Sequence, residues 1–272
     1  GQYSIMLNEQ AGVIDDLILY RMEPETFFVV VNASRIDEDF AWLSAHKPAD
    51  VTLENHSDEY VGLAVQGPLC GAIFAKVIPG VELPPRNGIA RITVDGADLI
   101  VCRTGYTGED GFEFFCPAAE GVKWFEAFLS AGAKPCGLGA RDSLRLEMCY
   151  PLNGSDLAPD KTPLEAGLGF FCALDTEFIG SGILREQKAS GLTQRLAAIE
   201  YTGKGAPPRP LQSSPSRRRS HRGTHQRRPL ALPDDRHRSG VPSCRPCQGR
   251  HRAGNRCQGE KIPRPCGQKT LL

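Results

Sequence analysis

A break in composition near residue 206 decides how much of this 272-residue chain can fold. Residues 207–272 carry 16 Lys and Arg against 3 Asp and Glu, hold 10 of the 21 prolines, and contain no Phe, Tyr or Trp. A segment with that charge imbalance and no aromatic anchors cannot bury enough apolar surface to offset the entropy lost on ordering. Residues 1–206, with 16 Lys and Arg against 29 Asp and Glu, are therefore expected to fold, and residues 207–272 to form a disordered or non-native tail. No run of 18 apolar residues is present, and residues 1–20 lack a basic stretch followed by an apolar one, which argues against a membrane span or a secretory leader. Cys70, Cys102, Cys116, Cys136, Cys149 and Cys172 are scattered among apolar neighbours and read as reduced core residues of a cytoplasmic protein.

Short β-branched or aromatic runs predict strands at Val13–Tyr20, Phe27–Asn32, Val61–Gln66, Phe112–Cys116 and Leu196–Tyr201. Asp95-Gly96 between two apolar runs predicts a tight hairpin. Helical spacing of Val122, Phe125, Phe128 and Leu129 predicts one helix, and a second is expected from Ala140 to about Tyr150, ended by Pro151. This mixture points to an α+β fold with mixed or antiparallel sheets and packed helices, not to a βαβ array.

Four constellations carry possible chemistry. Asp15-Asp16 lies in a strand apolar on both faces, Asp16 sharing a side with Ile14, Ile18 and Tyr20 and Asp15 with Leu17 and Leu19. At least one carboxylate should be partly buried and in need of a partner or ligand, unless both cap backbone amides at a strand-entry turn. In Arg103–Glu113, R-T-G-Y-T-G-E-D-G-F-E, three glycines in seven residues permit close backbone approach to a ligand; Tyr106 offers a stacking face, and Glu113 a carboxylate for the donor edge of a planar heterocycle. Spacing alone favours a glycine-rich hairpin with solvated acids over a ligand loop. In G-L-G-A-R-D-S-L-R-L-E, Arg141 and Arg145 stand four apart and form a cationic stripe, which can bind a carboxylate or carbonyl or pair internally with Asp142 and Glu147. In the tail, C-R-P-C at Cys244–Cys247, with His251, Cys257 and Cys266, is a weak zinc signal matching no strong template, and the basic charge would suit nucleic acid.

In chain order, N-E-Q-A-G-V-I-D-D-L-I-L-Y-R, L-A-V-Q-G-P, R-T-G-Y-T-G-E-D-G-F-E, C-G-L-G-A-R-D-S-L-R-L-E and T-P-L-E-A-G-L-G resemble the aminomethyltransferase family, the T-proteins of the glycine cleavage system. The resemblance implies two intertwined α+β folate-binding subdomains over residues 1–206, and a family C-terminal β-barrel that this chain does not encode. It implies tetrahydrofolate as co-substrate, with Asp16 as the catalytic acid and Glu113, Arg141, Tyr106 and Asn8 as ligand-binding residues. The lipoylated carrier H-protein is the implied partner, with neither nucleic acid nor membrane, in the bacterial cytoplasm or, in a eukaryote, the mitochondrion. A folate-binding relative of the iron–sulfur assembly type carries a K-G-C-Y-x-G-Q-E-like motif, and R-T-G-Y-T-G-E-D-G argues against it. The chain departs from the family at Ala11, where glycine is usual, at Met148-Cys149 in place of A-G, and at Asn153, where an aromatic or His is common. The family's D-V-S-H-M segment is absent, so an N-terminal portion is expected to be missing.

The tail is expected to be an out-of-frame translation. Gly259–Leu272 can be encoded so that the frame opening at the second base of the Glu260 codon gives R-R-F-P-A-R-V-V-K-K-P-F, which resembles the end of the family's C-terminal domain. A single frameshift near Pro210–Leu211 accounts for both the composition break and the apparent zinc and nucleic-acid features.

Overall fold

The strand signals resolve into two antiparallel sheets in the computed structural model, which describes residues 1–198. β1 (Gln2–Leu7), β2 (Val13–Glu23) and β3 (Thr26–Val30) form the first sheet in that spatial order, and α1 (Ile36–His46) packs Trp42 and Leu43 against its Met6, Ile14 and Leu17. The chain then builds β4 (Tyr60–Gln66), α2 (Cys70–Val77), β5 (Ile89–Val94), β6 (Ala97–Cys102), β7 (Gly111–Pro117) and α3 (Gly121–Ser130). The second sheet runs β4-β7-β6-β5. Its Val65, Leu99, Val101, Phe112 and Phe114 face Ile73 and Phe74 of α2 and Trp124 and Phe128 of α3, forming the largest core. After α4 (Leu138–Glu147) the chain returns to the first sheet, where Leu157 and, on α5 (Ser181–Ser190), Leu184 pack with Leu7, Ala11 and Val13.

The sheets meet through Tyr20, fully buried against Ile100 and Cys102, and through the edge-to-face pair Phe28–Phe115 at 5.3 Å. This seam places β2, which carries the aspartate pair, beside β6 and β7, which flank the glycine-rich loop. The Asp95-Gly96 hairpin forms as expected, with φ of 52° and 85°, the positive pair that a two-residue turn with primed geometry requires.

Several expectations need correction. The strand from Phe27 stops at Val30, because Asn32 turns its backbone amide to Asp15. Residues 196–198 are not in a strand; the remainder of that expected strand, like the C-R-P-C motif and the whole tail, lies outside the described residues. Strand β1 and helices α1, α2 and α5 were not read from the sequence. Cys136 and Cys149 are exposed, not core residues, while Cys70, Cys102 and Cys116 are buried.

Helix α4 ends at Glu147, three residues before the expected stop at Tyr150. Cys149 adopts φ 57°, its amide donates to the Leu146 carbonyl and the Tyr150 amide to that of Arg145, a double closure for which glycine is preferred. Ala11, the other departure from a usual glycine, also has φ 61°. A left-handed non-glycine residue costs about 1–2 kcal/mol, whereas glycine loses roughly 0.5–1 kcal/mol more backbone entropy on folding. Cys149→Gly is therefore expected to stabilise by about 0.5–1 kcal/mol and to raise Tm by ~2 °C in a thermal melt. Ala11→Gly should be near neutral, because its fully buried methyl packs against Gly180.

Candidate functional site

The two aspartates divide their work across β2. Both lie inside the strand, Asp15 opposite Met6 and Asp16 opposite Ile5, so the entry-turn alternative does not describe them. Asp15 is 0% exposed and accepts from the Asn32 backbone amide at 3.1 Å and the Asn32 side-chain amide at 2.7 Å. Asp16 is only partly buried; its Oδ2 accepts from the Tyr3 hydroxyl at 2.9 Å and its Oδ1 from Asn32 Nδ2 at 3.2 Å. Burial pushes the Asp16 carboxyl above the usual range and the neighbouring Asp15 charge adds to the push, against the lowering effect of the Tyr3 and Asn32 hydrogen bonds. The result is a carboxyl held in one orientation, with raised proton affinity, on the side of β2 that faces the seam.

Glycine is required where the loop from Arg103 to Glu113 passes Gln66. Gln66, 3% exposed, donates to the carbonyls of Thr104 and Phe112 at 3.1 and 3.2 Å and accepts from Thr107 at 3.2 Å. A Cβ on Gly105 would sit 1.7 Å from its Oε1. The loop is closed outside by Arg103, whose Nε and Nη2 reach Asp110 at 3.2 and 3.0 Å, so Asp110 is paired and not a solvated acid. Glu113, on β7 beside Cys102, accepts from Thr104 Oγ1 at 2.6 Å. Tyr20 lies 2.5 Å from that hydroxyl, and since a hydroxyl has one proton to give, the chain runs Tyr20 to Thr104 to Glu113.

The arginine stripe does not form. Arg145 is 2% exposed and bonds Asp142 at 2.7 Å, Asp156 at 2.9 Å and the Tyr150 carbonyl at 3.0 Å. Its charge is consumed inside the fold, and Asp156, not Glu147, is its second acid. Arg141 stays exposed and, among the described residues, forms no ion pair; its guanidinium lies 4.9 Å above the Tyr106 ring. Tyr106 also stacks on Tyr150 at 5.6 Å and donates its hydroxyl to the Pro151 carbonyl, so its ring holds internal partners instead of an open stacking face. Burial pushes the Tyr106 hydroxyl up to about 12, the nearby Asp16 carboxyl adding to the push and the Arg145 and Arg141 guanidinium groups opposing it. Asn8, at the β1–β2 turn, accepts from the amides of Gln10 and Gly12 at 3.0 and 2.8 Å and donates to the Pro159 carbonyl at 3.0 Å.

Sequence reasoning thus singled out Asp16, Glu113, Arg141 and Tyr106 but missed the residues that hold them: Tyr3, Asn32, Gln66 and Thr104. The alternation in Q-Y-S-I-M-L was a readable strand signal for Tyr3; nothing local marks Asn32 as a partner of both aspartates. Among the described residues, no group of three or more His, Cys, Asp or Glu is arranged to hold a metal ion, and no helix is long and apolar enough to cross a membrane.

Two antiparallel sheets joined at a seam, with a partly buried aspartate on the seam side of one strand, form an α+β domain, and comparison identifies its family. Residues 1–176 match the GCVT N-terminal domain, and the chain belongs to that family. It is 44% identical over 214 residues to an aminomethyltransferase of Geobacillus thermodenitrificans, covering 76% of this chain and 59% of that protein. It is 45% identical over 213 residues to that of Anoxybacillus flavithermus, covering 75% and 58%. The crystal structure of the glycine cleavage system aminomethyltransferase T from Bartonella henselae superposes with a TM-score of 0.57 at 34% identity, over 70% of this chain and 53% of that one. The chain spans less than two thirds of the length of these relatives.

Proposed function

We propose that the site binds tetrahydrofolate and serves transfer of the aminomethyl group carried on the lipoyl arm of H-protein, with release of ammonia and formation of methylenetetrahydrofolate and the dihydrolipoyl carrier. The observation that carries this reading is the Asp16 carboxyl, partly buried on β2 with its proton affinity raised by burial, and fixed by Tyr3 and Asn32. An iminium-like carbon must form beside a weakly basic folate nitrogen. A carboxyl already desolvated and oriented stabilises that positive charge without reorganising at the moment of reaction. Asp16 acts by electrostatics and positioning, not as a covalent nucleophile. Glu113, held by Thr104, accepts from the donor edge of the pterin, and Arg141, held over Tyr106, presents its fork to a ligand carboxylate or carbonyl.

Binding of tetrahydrofolate to the 272-residue chain, followed anaerobically by calorimetry, tests this reading. Glu113→Gln and Arg141→Ala are each expected to weaken binding by about tenfold or more, the scale of one charge-assisted hydrogen bond. Affinity equal to the parent's in both variants would place the ligand elsewhere.

A further inference from the structure

We propose that Asp39 is a positioning residue for Asp16: as a neutral carboxylic acid it donates its proton to Asp15 and so locks the Asn32 amide against the Asp16 carboxyl. Asp39 sits on the inner side of α1, 1% exposed, and neither of its oxygens has a hydrogen-bond donor among the described residues. The group that faces it across the core is Asp15, itself 0% exposed. Two ionised carboxylates have no hydrogen to share, and a single proton between them supplies the missing donor.

The surroundings favour that proton. Burial first, and then the Asp15 carboxylate, push Asp39 up to about 8, and Glu38 on the same helix pushes the same way. Arg35 opposes them, but its guanidinium is engaged by Glu38 at 2.7 Å and by the Ile14 carbonyl at 3.2 Å, and its buried Nε has no partner. From β2 the facing acid is Asp15.

The relay ends at Asn32. One of its two amide hydrogens goes to Asp15 at 2.7 Å; the other is shared by the Asp16 carbonyl at 3.1 Å and Asp16 Oδ1 at 3.2 Å. Asp15, bonded from the α1 side by Asp39, keeps Asn32 in the rotamer that serves Asp16. When Asp39 ionises, the donor disappears and a second buried negative charge faces Asp15, so Asn32 loosens and the Asp16 carboxyl loses a bond that favours its charged form.

This inference rests on the proposed function only for what Asp16 does, and carboxyl titrations test the relay without a ligand. In the full chain carrying 13C at the aspartate carboxyls, one buried aspartate is expected to titrate between pH 7 and 9 and to vanish from the spectrum in Asp39→Asn. That variant keeps a donor toward Asp15 at every pH and should retain the parent's Asp16 titration without an alkaline inflection. Asp39→Leu keeps the bulk without the donor and should move the Asp16 titration upward. In parallel, parent affinity for tetrahydrofolate should fall about tenfold from pH 7 to 9 and stay flat in Asp39→Asn. A parent with no buried carboxyl titrating above pH 6, or an Asp39→Leu chain with an unmoved Asp16 titration, overturns the relay. If no form binds tetrahydrofolate, the proposed function fails and the carboxyl titrations alone decide the relay.

Discussion

Asp16→Asn is expected to lower aminomethyl transfer to tetrahydrofolate by ~10²–10³-fold while leaving Tm at neutral pH equal to the parent's or higher. The two halves of that expectation come from one fact, that the carboxyl is held in a place that suits a developing cation better than it suits the folded protein. Asparagine keeps the shape and an acceptor for the Tyr3 hydroxyl, but it carries no charge and holds no proton. The stability half follows from linkage. Because burial raises Asp16 in the folded state, its contribution to stability is fully present below the unfolded value of about 3.9 and is lost as pH rises through the folded value. Asp39, pushed up to about 8, gives a slope of the same sign extending to about that pH. The parent should therefore lose stability from acid toward neutral pH, and Asp16→Asn should lose less. Turnover with the lipoyl carrier in this chain and at the matching aspartate of a full-length relative, with melts from pH 4 to 8, checks both halves. Turnover within an order of magnitude of the parent's would remove Asp16 from the chemistry.

Arg145→Met should destabilise by about 3 kcal/mol or more and lower Tm by ~6–12 °C. The guanidinium side chain is 3% exposed and that of its partner Asp156 is 7% exposed, so removing the arginine leaves a buried carboxylate without its counter-charge. It also releases the Tyr150 carbonyl, and with it the segment that receives the Tyr106 hydroxyl at Pro151. Arg141 sits over that same Tyr106, so the ligand affinity of a folded Arg145→Met chain should drop although Arg145 itself touches no ligand. Arg145→Lys restores the charge but not the planar fork that reaches Asp142 and Asp156 together, and should recover only part of the loss. A change below about 1 kcal/mol in a denaturant titration of Arg145→Met would show that the network contributes no net stability.

Asp16 and Arg145 also mark how far local pattern reaches. The alternation in V-I-D-D-L-I-L-Y was enough to put two carboxylates on opposite sides of one strand, and Asp95-Gly96 was enough for a hairpin, because both features depend on the backbone geometry of a few adjacent residues. The spacing of Arg141 and Arg145 suggested one cationic face and was misleading. Which arginine faces solvent depends on Asp156, eleven residues beyond Arg145 and outside the helix. The end of α4 depended on a left-handed cysteine that local preference disfavours.

From the sequence alone came the strand carrying Asp15 and Asp16 and the Asp95-Gly96 hairpin, each set by short-range backbone sterics. The tertiary structure decided which aspartate is buried and which faces the seam. It also decided that Gln66, from a strand some forty positions earlier, fills the glycine loop, and that Asp39 on α1 lies against Asp15. Those pairings are made by burial across the chain, where a carboxyl without water takes whatever donor the opposite element presents, and no window of neighbouring residues encodes that donor.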